Sequence, residues 1–104
     1  MIPATLQSFM AQLHEETEKG NFQWFMGDHR AYFCNHKKFT LSIDRFYDPD
    51  REVDSFHFSL TKGIKNSPFS VYDTESDYRF MKNFYEAVIA NANGVSTDIE
   101  GFFD

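Results

Sequence analysis

A chain of 104 residues has room for one domain with its own core. Its net charge of −6 and pI near 5.1 argue against a general nucleic-acid binder, which needs a basic field to neutralise phosphates. A single cysteine, Cys34, excludes an internal disulfide, and no apolar stretch approaches membrane-spanning length.

The opening residues, Met-Ile-Pro-Ala-Thr, show no basic region followed by an apolar run. The expectation is a soluble, cytoplasmic protein with no membrane partner. Thirteen Phe, five Tyr and one Trp are too many rings for a core of this size. Each buries on the order of 150–250 Å², so some belong at the surface, where clustered aromatics mark an interface.

The first element reads as a helix. Pro3 suits its first turn, Leu6, Phe9, Met10, Leu13 and Thr17 recur at helical spacing, and Gly20 is placed to cap its end. A run of strands follows. Residues 22–26 and 30–34 are aromatic-rich, and Gly27-Asp28 between them fits a two-residue hairpin turn. Residues 38–46 alternate, with Phe39, Leu41 and Ile43 against Thr40, Ser42 and Asp44. Residues 55–60 do the same, with Phe56, Phe58 and Leu60 against Ser55, His57 and Ser59. This alternation is that of an antiparallel sheet with one face on a core.

Residues 61–68 read as turn-rich, and 69–72 as a candidate short edge strand. The best helix comes next. Thr74 is its expected cap, Tyr78, Met81, Tyr85, Val88, Ile89 and Ala92 form its stripe, Phe80, Phe84 and Ala87 widen that stripe, and Gly94 ends it. Residues 96–104 read as a short helical turn bringing Ile99, Phe102 and Phe103 back onto the body. The predicted class is α+β: an N-terminal helix, a four-stranded antiparallel meander (five with 69–72), and a C-terminal helix, the helices on one sheet face.

Requiring apolar residues to share a face fixes a register. Trp24 pairs with Ala31, Phe33 with Phe39, Leu41 with Phe58 and Ile43 with Phe56. The inner face is then Phe22, Trp24, Met26, Ala31, Phe33, Phe39, Leu41, Ile43, Phe56, Phe58 and Leu60. The outer face carries one row of Phe25, Arg30, Ser42 and His57, and another of Gln23, Tyr32, Thr40 and Ser59. Lys37, Lys38, Lys62 and Lys65 gather at one sheet end; Asp44, Asp48, Asp50, Glu52 and Asp54 gather at the other.

Three groupings invite a chemical reading. "DPDREVD" alternates acids, but a calcium loop of the EF-hand type needs Gly at its sixth position and Glu at its twelfth. Counted from Asp48 those positions hold Val53 and Ser59, and Asp48-Pro49-Asp50 is ordinary turn chemistry. Cys34 and His36 are two ligands where zinc needs three or four. Ser42, His57 and Asp44 suggest a Ser-His-Asp set, but a flat sheet face offers no oxyanion hole. No G-x-x-x-x-G-K, G-x-G-x-x-G, H-E-x-x-H or G-x-S-x-G pattern occurs, so no catalytic residue, cofactor or metal is assigned.

In composition and element order the chain resembles small accessory proteins such as toxin-immunity proteins and secretion chaperones. That resemblance carries no motif. It implies a non-enzymatic module that binds a protein, expected to be basic, through Phe25, Arg30, Tyr32, Ser42 and His57 on the sheet face and Asp48, Asp50, Glu52 and Asp54 at its acidic end. The alternatives are a homodimer packed through the same face and a small ligand-binding protein or enzyme.

Overall fold

The computed structural model describes residues 1–94 and 102. Its elements run α1 (Gln7–Glu18), β1 (Phe25–Met26), β2 (Tyr32–His36), β3 (Phe39–Asp48), β4 (Val53–Lys62), β5 (Lys65–Tyr72) and α2 (Tyr78–Ala92). The strands form one five-stranded sheet in the order β1-β2-β3-β4-β5, every neighbouring pair antiparallel. This is the predicted α+β meander, with the candidate fifth strand present and longer than expected. The chain segment beyond Gly94 expected to form a helical turn lies outside the described residues, apart from an exposed Phe102.

A 3-10 turn, Ala4–Leu6, follows Pro3 and leads into α1. The helix ends as its sequence requires. Gly20 adopts φ +78°, its N–H reaches the Thr17 carbonyl, and the Asn21 N–H reaches the Glu16 carbonyl. That pair of bonds is the Schellman arrangement, which a left-handed glycine permits without a Cβ clash. On α1 the buried stripe is Met10, Leu13 and Thr17; on α2 it is Met81, Phe84 and Val88. Both stripes join the inner sheet face in one core that includes Ile2, Trp24, Phe56, Phe58, Phe69 and Val71.

Thr74 does not cap α2. The helix starts at Tyr78, and the preceding residues are held otherwise: the Glu75 carboxylate accepts the Tyr72 N–H and Asp77 accepts the Ile2 N–H. The acids of this segment therefore serve the strand end and the first residues of the chain.

The register departs from the predicted one in an instructive way. Gly27 is extended, with φ −105°, so it cannot open a two-residue turn that needs a left-handed first position. Instead Asp28–Arg30 forms a 3-10 turn, Arg30 takes φ +60°, and only Phe25 and Met26 pair with β2. At the other end of β2 the turn is two residues, Lys37-Lys38, with His36 opposite Phe39 and Lys37 at φ +57°. These turns shift β2 by three residues against each neighbour, an odd number, and so reverse its faces. Tyr32 and Cys34 point into the core, and Phe33 points out. Between β3 and β4 the shift is two residues, with Leu41 opposite Leu60 and Ile43 opposite Phe58, so the face assignment survives there.

β5 begins at Lys65, directly after a Gly63-Ile64 turn. It is an edge strand whose outward backbone is blunted at three positions. Pro68 has no N–H, the Ser70 carbonyl accepts the Met1 ammonium at 2.6 Å, and the Tyr72 N–H is taken by Glu75 at 3.1 Å. An edge blocked in this way is a poor template for strand addition.

Candidate functional site

With the helices on one face, the other face of the sheet presents rows of outward side chains fixed by the register. One row is Phe25, Phe33, Ser42, Ser59 and Pro68; the next holds Asp44, His57 and Ser70; the next holds Phe46, Ser55 and Tyr72. Phe25 and Phe33 stack at 6.0 Å between centroids. Phe25, Phe46 and Tyr72 are 47%, 56% and 45% exposed, a high figure for such large apolar side chains.

His57 lies at the centre, on a strand paired on both sides. Its Nδ1 meets the Ser70 hydroxyl at 2.6 Å and its Nε2 meets the Ser55 hydroxyl at 3.1 Å. Ser55 has one hydroxyl proton, and it donates that proton to the Phe46 carbonyl at 3.2 Å. The Ser55 oxygen is therefore left to accept from Nε2–H, and Nδ1 is left to accept from Ser70. With a neutral ring, the donors of Ser55, His57 and Ser70 are all engaged, while oxygen lone pairs on Ser55 and Ser70 remain.

Asp44, opposite His57, keeps one carboxylate oxygen buried without a hydrogen-bond partner. Asp44, His57 and a serine thus share a row, as the sequence hinted, but the serine is Ser70 and not Ser42. Ser42 faces Ser59. β4 is flanked by two strands, so the amides around His57 are used in the two ladders and none is aimed at a developing oxyanion.

Beside this row runs a groove of about 530 Å³. Phe46 on β3 and Tyr72 on β5 wall it, Ser55 and His57 floor it, and Asp48 and Arg51 stand at its end. The β3–β4 turn that closes this end is an Asx turn: the Asp48 side chain accepts the Asp50 N–H at 3.0 Å and the Arg51 N–H at 3.4 Å. The acidic run is a turn, as its chemistry suggests.

The predicted site residues separate into groups. Phe25, Ser42 and His57 lie on the outer face; Asp48 closes the groove; Asp50 and Glu52 are exposed on the turn. Arg30 sits in the 3-10 turn before β2, off the sheet. Tyr32 is a correction: at 5% exposure it belongs to the core, its ring edge-on to Tyr85, because β2 is reversed. Asp54 is a second correction. It faces inward, 7% exposed, with both oxygens on the Arg45 Nε and one also accepting the Tyr78 hydroxyl. The Arg45 hydrogen bonds hold its carboxyl below the usual carboxylate range, and the pair fastens α2 to the sheet.

Three residues of the site escaped the sequence reading, Phe46, Ser70 and Tyr72, while Ser55 was read on the outer alternation with His57 and Ser59 but not as a site residue. Phe46 continues the outward alternation of Ser42 and Asp44, and Ser70 and Tyr72 alternate with buried Phe69 and Val71. Reading each strand to its full length exposes that signal.

Cys34 is buried, and desolvation pushes its thiol up, away from the reactive range. His36 packs edge-on to Phe22 at 4.8 Å. Among the described residues no three His, Cys, Asp or Glu side chains are grouped for a metal, and no helix is long and apolar enough to cross a membrane. No family model, curated protein or solved structure matches the chain. What fold and surface define is a class: a small α+β domain whose antiparallel sheet is packed by helices on one face and bears exposed aromatics on the other.

Proposed function

We propose that the chain is a non-enzymatic protein-binding module acting through the outer face of its sheet and the acidic turn at one end. The observation that carries this reading is the exposure of Phe25, Phe46 and Tyr72 on a face that the described helices leave uncovered. Charge supports it. Asp48, Asp50 and Glu52, with Asp73 and Glu75 on the neighbouring segment, make this end acidic, while Lys37, Lys38, Lys62 and Lys65 mark the opposite end. Such a dipole orients a basic partner as it approaches.

The test is affinity capture from the native source with three forms of the protein. Ser59→Arg fills the middle of the outer face, Asp50→Lys/Glu52→Lys reverses the turn, and Gln12→Arg alters exposed α1. A stoichiometric partner retained by Gln12→Arg and lost by Ser59→Arg supports the reading. A partner captured equally by all three forms overturns it.

A further inference from the structure

Phe46 and Tyr72 both pair with Ser55, one from each side. They therefore stand on the same face, separated by two strand spacings, about 10 Å at the backbone. A flat group stacked between two rings needs roughly 7–8 Å, twice the ordinary contact distance. From that backbone spacing, two rings that lean inward over Ser55 can close on one planar group.

The floor selects what that group carries. Ser55 donates to the Phe46 carbonyl, so with a neutral His57 ring Nε2–H donates to Ser55 and Ser70 donates to Nδ1. The donors of Ser55, His57 and Ser70 are thus engaged and their acceptor lone pairs remain, so the complement of this floor is a group rich in donors; the Tyr72 and Thr74 hydroxyls at the groove's side can turn to accept as well as donate. The acidic turn at the groove's end, and a net charge of −6, favour a cation and repel a phosphate-bearing base.

We propose that this groove holds the guanidinium of an arginine side chain from a protein partner, sandwiched between Phe46 and Tyr72. Guanidinium is flat, always charged and made only of donors, and it stacks on aromatic faces; a lysine ammonium has no flat face to offer. The inference rests on the reading that the outer face binds a protein, and it names the side chain recognised. One feature opposes the ligand: Arg51 also stands at the groove's end, 83% exposed and 4.0 Å from Asp48. An incoming arginine takes its place beside that carboxylate.

The experiment is an NMR titration of the ¹⁵N-labelled full chain with N-acetyl-arginine amide and its lysine, citrulline and leucine counterparts. Citrulline keeps the shape and loses the charge. The expected result is a response at the amides of Phe46, Ser55, His57 and Tyr72 that saturates with the arginine compound and is at least about fivefold weaker with the others. Phe46→Ala and Tyr72→Ala each weaken binding about threefold, Arg51→Gln strengthens it, and Ile64→Ala at the far turn leaves it unchanged. An equal response to lysine, citrulline or leucine overturns the proposal, as does a response elsewhere or none. Self-association that Phe46→Ala abolishes in light scattering also overturns it, by making a second copy the occupant. If the arginine compound fails while Ser59→Arg still loses its captured partner, the guanidinium site falls and the outer-face reading stands.

Discussion

Asn91 near the end of α2 holds Trp24, a residue 67 positions away, by accepting its backbone N–H at 2.8 Å. The same side chain donates to the Thr17 carbonyl at 3.2 Å and to the Phe22 carbonyl at 2.7 Å. Three segments without mutual secondary structure thus share one amide group: the end of α1, the irregular chain before β1, and α2. Trp24 is fully buried there, its indole N–H on the Thr17 hydroxyl at 3.1 Å. The amide orients the segment that feeds the sheet.

Asn91→Ala leaves the Trp24 N–H and the Phe22 carbonyl without these partners in a partly buried place, while the Thr17 carbonyl keeps the Gly20 N–H. The expected loss is about 2–3 kcal/mol, read from the urea midpoint with an unchanged m-value. Asn91→Asp keeps the acceptor for Trp24 but sets a carboxylate oxygen against two carbonyls. It is expected to cost at least as much as alanine. A loss under about 0.5 kcal/mol for both variants would show that water replaces these bonds freely.

Asp54 makes folding stability depend on acid pH. Its carboxyl is held down chiefly by the Arg45 hydrogen bonds, with desolvation opposing and the Tyr78 hydroxyl assisting. A depressed folded value means that the ionised form is favoured by folding. The stabilisation is present above the unfolded carboxyl range and disappears as pH falls through the folded value. The stability difference between wild type and Asp54→Asn is therefore expected to be constant above about pH 5 and to shrink below about pH 4. Urea titrations at three pH values measure it. A difference that stays the same into strong acid would assign the effect to packing around Phe56 and Tyr78 and not to charge.

Much of this fold is legible in the residues. Period-2 alternation in 38–46 and 55–60 places Leu41, Ile43, Phe56 and Phe58 in the core, and Gly20 and Gly94 end the helices with left-handed φ. What escaped is turn geometry. Lys37 and Arg30 take left-handed φ without being glycine or asparagine, so nothing local announces those turns, and the wrong turn reversed β2. The candidate site suffered twice from this. Tyr32 went to the wrong face, and Tyr72, though inside the candidate edge strand 69–72, was given no face, because Pro68 and the turn-rich run before it hid where that strand begins. Phe25, Ser42 and His57 were placed on the correct face because β3 and β4 carry their own alternation, and Phe25 precedes the misread turn.

Gly27 is required by its neighbour and not by its backbone angle. A Cβ at this position would lie 2.4 Å and 2.6 Å from two atoms of the Phe33 ring. Gly27→Ala is expected to displace that ring, break its stack on Phe25, and cost about 1–2 kcal/mol. In a Phe33→Ala background the clash is gone, so the same substitution becomes nearly neutral. A double-mutant cycle by thermal or urea unfolding gives the coupling directly. Additive costs would place the strain elsewhere in the Asp28–Arg30 turn.

His57 is expected to carry its proton on Nε2 in the neutral form, because Ser55 has no second hydroxyl proton to offer that nitrogen. Long-range ¹H–¹⁵N correlation distinguishes the two ring nitrogens. Ser70→Ala should leave the tautomer in place, since the constraint comes from Ser55. Ser55→Ala should release it and raise the Nδ1–H population, because the Ser70 hydroxyl accepts as readily as it donates. A wild-type ring protonated on Nδ1 would reverse the hydrogen-bond direction along the row. The floor between Phe46 and Tyr72 would then offer a free donor, and an acceptor-bearing ligand would fit it better than a guanidinium.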